Sequence, residues 1–94
     1  MASMFLKLAV ADFDTWKKIF DENEAARRDA TITGHSVHHD SDDPNVAIVA
    51  FRVNDIARGR AFAGSDDLRE IMQRAGAKGP PEIWFADDVE EKTY

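Results

Sequence analysis

The segment from Asn45 to Val53 most constrains the fold, because it carries apolar side chains on both of its alternating sets. A strand with this pattern is covered on both faces of its sheet. The elements around it follow the order strand, helix, strand, strand, helix, strand. In a chain of 94 residues, two helical regions can cover only one face of a four-stranded sheet. We therefore expect a second copy of the chain to cover the other face.

Length, charge and cysteine content narrow the class of protein. The length predicts one domain spanning residues 1–94. The 18 acidic and 12 basic residues give a formal net charge of −6, which repels polyanions, so we expect no nucleic-acid partner. No apolar run is long enough to span a bilayer, and residues Met1 to Met4 lack the pattern of a signal peptide. The absence of cysteine fits a cytoplasmic protein and excludes disulfides and thiolate metal ligands.

The first half of the chain predicts a strand, a long helix and a hairpin. The first strand covers Met4 to Val10, and Asp12 can cap a helix that closes with Arg27 and Arg28. The second strand runs roughly from Thr31 to His39. The loop from Asp40 to Asn45 is short, so the second and third strands should form an antiparallel hairpin.

The second half predicts two helical pieces and a final strand. Asn54 or Asp55 can cap the first piece, and Ser65 can cap the second, which Gly76 ends. The fourth strand covers Glu82 to Ala86.

This element order predicts an α+β, ferredoxin-like βαββαβ fold. With right-handed crossovers, the four-stranded antiparallel sheet has strand order 4-1-3-2 and both helical regions on one face. The other face would expose several hundred square ångströms of largely apolar area, roughly the upper limit for soluble monomers. Packing it against a second copy would close a two-chain barrel. The alternative is a monomer with a hydrated sheet face.

Four segments carry a resemblance to known proteins. They are Asp12 to Asp21, Asp42 to Asn45, Phe62 to Met72, and Ala75 to Ile83. Together they resemble a group of short bacterial proteins, some called cyclases, which are similar to members of the dimeric α+β barrel superfamily. That superfamily includes the antibiotic-biosynthesis monooxygenases. The resemblance implies the fold and a homodimer, whereas the superfamily hosts monooxygenases, haem degraders, isomerases, cyclases and plain binding proteins.

The three histidines of the second strand are the first candidates for chemistry. His38 and His39 point to opposite faces, and His35 and His39 lie about 13 Å apart along an extended strand, so no pair chelates one metal ion unless Asp40 or the other chain adds a ligand. We therefore predict no metal site. His35 can line a pocket and move a proton near neutral pH. The alternative is that all three are polar residues at a sheet edge.

A hairpin register that pairs His39 with Val46 refines this prediction. It places His35 and Arg52 on one face of the sheet, beside the small Ala50.

Aromatic side chains predict an apolar cavity between the sheet and the helices, with a filled core as the alternative. Asn23 and Arg27 fall on the inward stripe of the first helix, where apolar residues are expected. Arg27 either caps the helix and pairs with a carboxylate, or holds an anionic ligand. The aromatic candidates are Trp16, Phe20, Phe51, Phe62, Trp84 and Phe85.

Three functions remain open: binding of a small, largely apolar ligand, cofactor-independent monooxygenase or cyclase activity on an aromatic or polyketide-like substrate, and a purely structural dimer. No glycine-rich phosphate loop or nucleophile elbow is present, and we expect no cofactor. The candidate catalytic residue is His35. The candidate ligand-binding residues are Trp16, Asn23, Arg27, Phe51, Arg52 and Trp84.

Overall fold

The computed structural model describes residues 2–94. Met1 belongs to the segment where no signal peptide is expected, and it lies outside the described residues. The sheet has the order β2-β3-β1-β4, and every neighbouring pair is antiparallel. The predicted ferredoxin-like fold and strand order are therefore confirmed. The elements are β1 (Ala2–Ala9), α1 (Phe13–Glu22), α2 (Glu24–Asp29), β2 (Ile32–His39), β3 (Val46–Val53), α3 (Ile56–Ala63), α4 (Asp66–Arg74) and β4 (Glu82–Asp87).

Side-chain caps start three of the helices where the sequence predicts them. The carboxylate of Asp12 accepts from the backbone N–H of Thr15 at 3.0 Å, and Asp55 caps α3 in the same way. The hydroxyl of Ser65 accepts from the N–H of Leu68 at 3.2 Å. Each bond satisfies an amide that the first helical turn leaves without a partner.

The sequence predicts one long first helix, and this prediction is wrong because Asn23 divides it into α1 and α2. Its φ of −100° and ψ of 21° lie outside the helical range, and its N–H bonds to the carbonyl of Phe20. The chain resumes as the short helix α2, which carries Arg27 and Arg28 in its last turn. The interruption redirects the chain so that Arg27 turns toward the core.

The core lies between the sheet and the helices. Met4, Leu6 and Leu8 of β1 are buried and alternate with more exposed residues, as expected when one face of a strand is packed. Helix α3 approaches the sheet closely at Gly59, where a Cβ atom would lie 2.8 Å from Cγ1 of Val53. No helix in the described part of the chain is long and apolar enough to cross a membrane.

The other side of the sheet, which we call the open face, carries no helix. Apolar side chains run across its middle: Trp84 stacks on Phe5 with ring centroids 5.6 Å apart, and Ile48 lies half-buried on β3. Trp84 is 46% exposed. The strand registers place these residues on the open face: Ser3, Phe5, Lys7, Gly34, Ser36, His38, Val46, Ile48, Ala50, Arg52, Glu82, Trp84 and Ala86.

The predicted register of the hairpin is wrong by one residue. His39 pairs with Ala47, and His35 pairs with Phe51 instead of Ala50. A register shift between Ile32 and Gly34 accompanies this pairing. Since successive side chains alternate between faces, the slip puts His35 on the helix side of the sheet and Arg52 on the open face.

Candidate functional site

A small cavity lies between the sheet and helices α1 and α4. Its volume is about 50 Å³, and we call it the inner cavity. Aromatic and aliphatic side chains form most of its wall, and within residues 2–94 two polar side chains, Asn23 and Arg27, reach it. Its wall includes Trp16, Phe20, Arg27, Phe51, Phe62 and Met72.

One wall of the inner cavity is a row of stacked aromatic rings. Trp16 and Phe20 are one helical turn apart on α1, and their ring centroids lie 5.0 Å apart at an angle of 28°. The ring of Phe20 also lies 6.1 Å from that of Phe51 on β3. Such offset rings favour planar apolar molecules over polar ones.

Among the residues that the structure describes, Arg27 is the one charged side chain that lines the inner cavity. It is 5% exposed, and its guanidinium lies over the ring of Phe20 with Cζ 3.9 Å from the centroid. Nη1 donates to the carbonyl oxygen of Phe20 at 2.6 Å. Among residues 2–94, no carboxylate lies within 4.0 Å of this guanidinium. Burial lowers the pKa of Arg27, and the more distant Glu24 and Asp21 oppose that effect. The group stays charged at neutral pH.

His35 lies beside this wall on β2. Its imidazole contacts the edge of the Phe20 ring, with centroids 5.0 Å apart and planes at 88°. Burial lowers the pKa of His35 from its ordinary value of 6.5. The positive charges of Arg27 and Lys17 lower the pKa further, against the carboxylates of Asp21 and Glu24. His35 is therefore neutral at pH 7, and a neutral imidazole can accept a proton.

A groove that is open to the surface lies between α2 and β2, and we call it the side groove. It has a volume of about 440 Å³ and is lined by Glu24, Arg27, Arg28 and residues 32–35. Arg27 lines both the side groove and the inner cavity. The two spaces thus meet at one buried cation.

The other two histidines lie apart from this site. His39 packs edge-on against Phe13 near the start of α1, with centroids 5.2 Å apart. His38 is on the open face, where its Nε2 is 3.1 Å from the hydroxyl of Ser36. No group of three histidine, aspartate or glutamate side chains among the described residues is arranged to hold a metal ion.

The structure brings some of the predicted site residues together and separates others. Trp16, Asn23, Arg27 and Phe51 line the inner cavity, with His35 next to it. Trp84 lies on the open face and outside the inner cavity, so its expected place in the wall between sheet and helices is wrong. Arg52 also lies on the open face, where it lines a separate groove together with His35, Ala50 and Phe51. Both Trp84 and Phe85 are apolar and adjacent on β4, and alternation alone does not say which one points inward.

Sequence reasoning missed the side groove. Thr33 and Glu24 line it, yet neither belongs to a recognisable motif. The only signal in the sequence is the three-residue spacing of Glu24 and Arg27, which places both on one side of a short helix.

No protein-family model and no curated protein sequence matches this chain. Several solved structures have a similar fold. An antibiotic biosynthesis monooxygenase aligns with a TM-score of 0.69 and 13% identity, over 96% of this chain and 100% of that one. A cofactor-independent oxygenase from Streptomyces nogalater aligns with a TM-score of 0.74 and 12% identity, over 96% of this chain and 94% of that one.

A third structure holds a ligand. A monooxygenase from Streptomyces coelicolor in complex with nanaomycin D aligns with a TM-score of 0.71 and 16% identity, over 99% of this chain and 91% of that one. Identities this low establish a common fold and no more. They confirm the resemblance expected from the sequence at the level of the fold.

Proposed function

We propose that this protein is a homodimer that binds a small, largely apolar molecule between its sheet and its helices. The observation that carries the proposal is Arg27, which is 5% exposed in a wall that is apolar apart from Asn23. Burying a cation costs free energy, and within the described chain no ion pair offsets that cost. A core selected for stability alone has little use for such a residue.

The inner cavity must widen to take a ligand. Its volume of about 50 Å³ is well below the roughly 300–1,000 Å³ of typical ligand sites. Ile19, Phe62 and Ile71 line it and are only partly buried, so they are the residues that can move into solvent. Met72 is unbranched and adapts its shape easily.

The open face supports the homodimer. Phe5, Ile48 and Trp84 form an apolar strip there, and Trp84 is 46% exposed. A second copy is the occupant that the arrangement favours, because the same strip on two chains is self-complementary under two-fold symmetry. A cytoplasmic location, expected from the absence of cysteine, stays a prediction.

Native mass spectrometry of gently purified protein tests both parts, because it reports the number of subunits and any retained small molecule. The site is then located with Ala75→Val, which adds two methyl groups inside the inner cavity. We expect this variant to keep its fold and to lose the retained molecule. Ala61→Val, at an exposed position of α3, is the matched control and should keep it.

A filled core without a ligand predicts a different result. In that case the purified protein carries no small molecule, and neither 1-naphthoate nor 1-naphthalenemethanol binds in calorimetry. Ala75→Val would then change stability alone. This outcome would replace the binding proposal with a purely structural dimer.

A cofactor-independent oxygenase is the second candidate, and neutral His35 favours it. The imidazole would take a proton from an acidic C–H or O–H group of an aromatic substrate. The resulting anion would be oxidised by O₂, with one oxygen atom entering the substrate and the other leaving as water. Oxygen uptake with hydroxylated tricyclic aromatics tests this reaction. Uptake should disappear in His35→Ala while ligand binding persists.

A further inference from the structure

We propose that the ligand carries an anionic group, a carboxylate or a phenolate, which Arg27 binds where the side groove meets the inner cavity. This inference rests on the proposed function and adds the chemical class of the ligand. An aromatic carboxylate fits both halves of the site, because its ring can lie against Trp16 and Phe20 while its charge reaches the guanidinium.

The bonding of Arg27 leaves donors for such a group. A guanidinium has five N–H donors, and a single hydrogen bond, from Nη1 to the carbonyl of Phe20, is formed by Arg27 within the described chain. The remaining donors can bind a carboxylate through two parallel hydrogen bonds, the geometry that guanidinium groups favour. The side groove gives that carboxylate a path from solvent, since Arg27 and His35 both line it.

The charges around the site favour an anion over a cation. Arg27 is buried and has no ion-pair partner among residues 2–94, whereas Arg28 pairs with Glu24 at 3.2 Å and is largely exposed. Lys17 lowers the pKa of His35 but pairs with Asp21 at 2.6 Å, so Arg27 is the cation at this site that an anionic ligand can bind. His35 is neutral at pH 7, so it can accept a hydrogen bond from a phenol or stand beside a carboxylate without repelling it.

Two probes of nearly the same shape test the inference by isothermal titration calorimetry at pH 7.5. They are 1-naphthoate, which is anionic, and 1-naphthalenemethanol, which is neutral. The wild-type protein should bind 1-naphthoate about tenfold or more tightly than the alcohol, as expected for a charged hydrogen bond in a buried site. Arg27→Gln should bind the two probes with equal affinity.

A control variant separates this contact from net charge. Lys18→Gln removes one positive charge from the exposed side of α1 and should keep the preference for 1-naphthoate. If Arg27→Gln does not fold, an NMR titration of the wild-type protein takes its place and follows the ¹⁵N-detected Nε–H signal of Arg27. That signal should shift with 1-naphthoate and stay in place with the alcohol.

The failures of the two proposals are distinguishable. Equal binding of both probes by the wild-type protein would overturn the anion inference and leave the apolar site standing. The same conclusion would follow if Arg27→Gln still preferred 1-naphthoate, or if 1-naphthoate did not shift the Nε–H signal of Arg27. If neither probe binds, the ligand site itself is overturned, and this inference is overturned with it.

Discussion

The guanidinium of Arg27 lies flat over the ring of Phe20, with Cζ 3.9 Å from the centroid, and donates to the carbonyl oxygen of the same residue at 2.6 Å. The carbonyl is available because Asn23 interrupts the helix one turn after Phe20. One residue therefore adds a second hydrogen bond to a helix-end carbonyl, which also accepts from the N–H of Asn23, and places a positive charge in the wall of the cavity.

Replacing Arg27 by methionine should change the free energy of unfolding by less than about 1 kcal/mol. The substitution removes one hydrogen bond and a cation–π contact, and it also removes the cost of burying a charge. No buried carboxylate among the described residues is left unpaired, and the carbonyl of Phe20 still accepts from the N–H of Asn23. Urea unfolding at pH 7 measures the change. A loss of about 3 kcal/mol or more would mean that Arg27 is chiefly structural.

Titration of His35 should make the protein less stable in mild acid. Burial and the charges of Arg27 and Lys17 lower the pKa of the folded state below 6.5, against Asp21 and Glu24. The unfolded chain then binds the proton more readily, so the free energy of unfolding falls as the pH drops through about 6.5. Above about pH 7.5 His35 is neutral in both the folded and the unfolded chain, so its protonation no longer changes the free energy of unfolding.

The test compares urea midpoints at pH 8 and pH 5.5 for the wild-type protein and for His35→Gln. The variant should lose less stability than the wild type on going to pH 5.5. His38→Gln, on the open face, is the control for removing an imidazole. Identical pH dependence in the wild type and His35→Gln would contradict the expected shift in pKa.

Substitution of Gly59 by alanine should destabilise the fold by about 1–2 kcal/mol. The new Cβ would lie 2.8 Å from Cγ1 of Val53 and 3.4 Å from the ring of Phe85. Val53 is 1% exposed and cannot move aside, so overpacking outweighs the higher helix propensity of alanine. Thermal unfolding followed by circular dichroism measures the loss.

Gly64→Ala is the matched control at the end of the same helix, because its nearest neighbour, the carbonyl oxygen of Arg60, would lie 3.6 Å from the new Cβ. It should change stability by less than about 0.5 kcal/mol. Equal effects of the two substitutions would show that helix propensity, and not close packing on Val53, governs α3.

Placing a charge on the open face should give a monomer. Trp84→Glu puts a carboxylate at the β4 end of the apolar strip, next to Phe5, where association would bury it without a partner. Sedimentation velocity at micromolar concentration should show a dimer for the wild type and a single chain for the variant.

Ile56→Glu serves as the control, because Ile56 is 36% exposed on α3 and away from the open face. It should leave the dimer intact. A wild-type protein that sediments as a monomer, with Trp84 readily quenched by iodide, would show that the open face is hydrated and that the homodimer is wrong.

The order of elements and their caps were predictable because they depend on contacts between residues close in sequence. Asp12 and Ser65 each bond to an amide three residues later, and no distant part of the chain is needed to form that bond. The crossover rule then leaves one simple arrangement of four strands, which the structure confirms.

The register of the hairpin, and the face of the sheet to which each side chain points, were decided only by the tertiary structure. His35 lies opposite Phe51 in a register that runs unbroken from the hairpin loop to Gly34. An apolar pair such as Trp84 and Phe85 is equally suited to either face until packing selects one. The burial of Arg27 likewise depends on Asn23 breaking the helix over the sheet. Amino-acid pattern alone thus determined the fold of this chain, whereas long-range packing determined which polar groups meet at the candidate site.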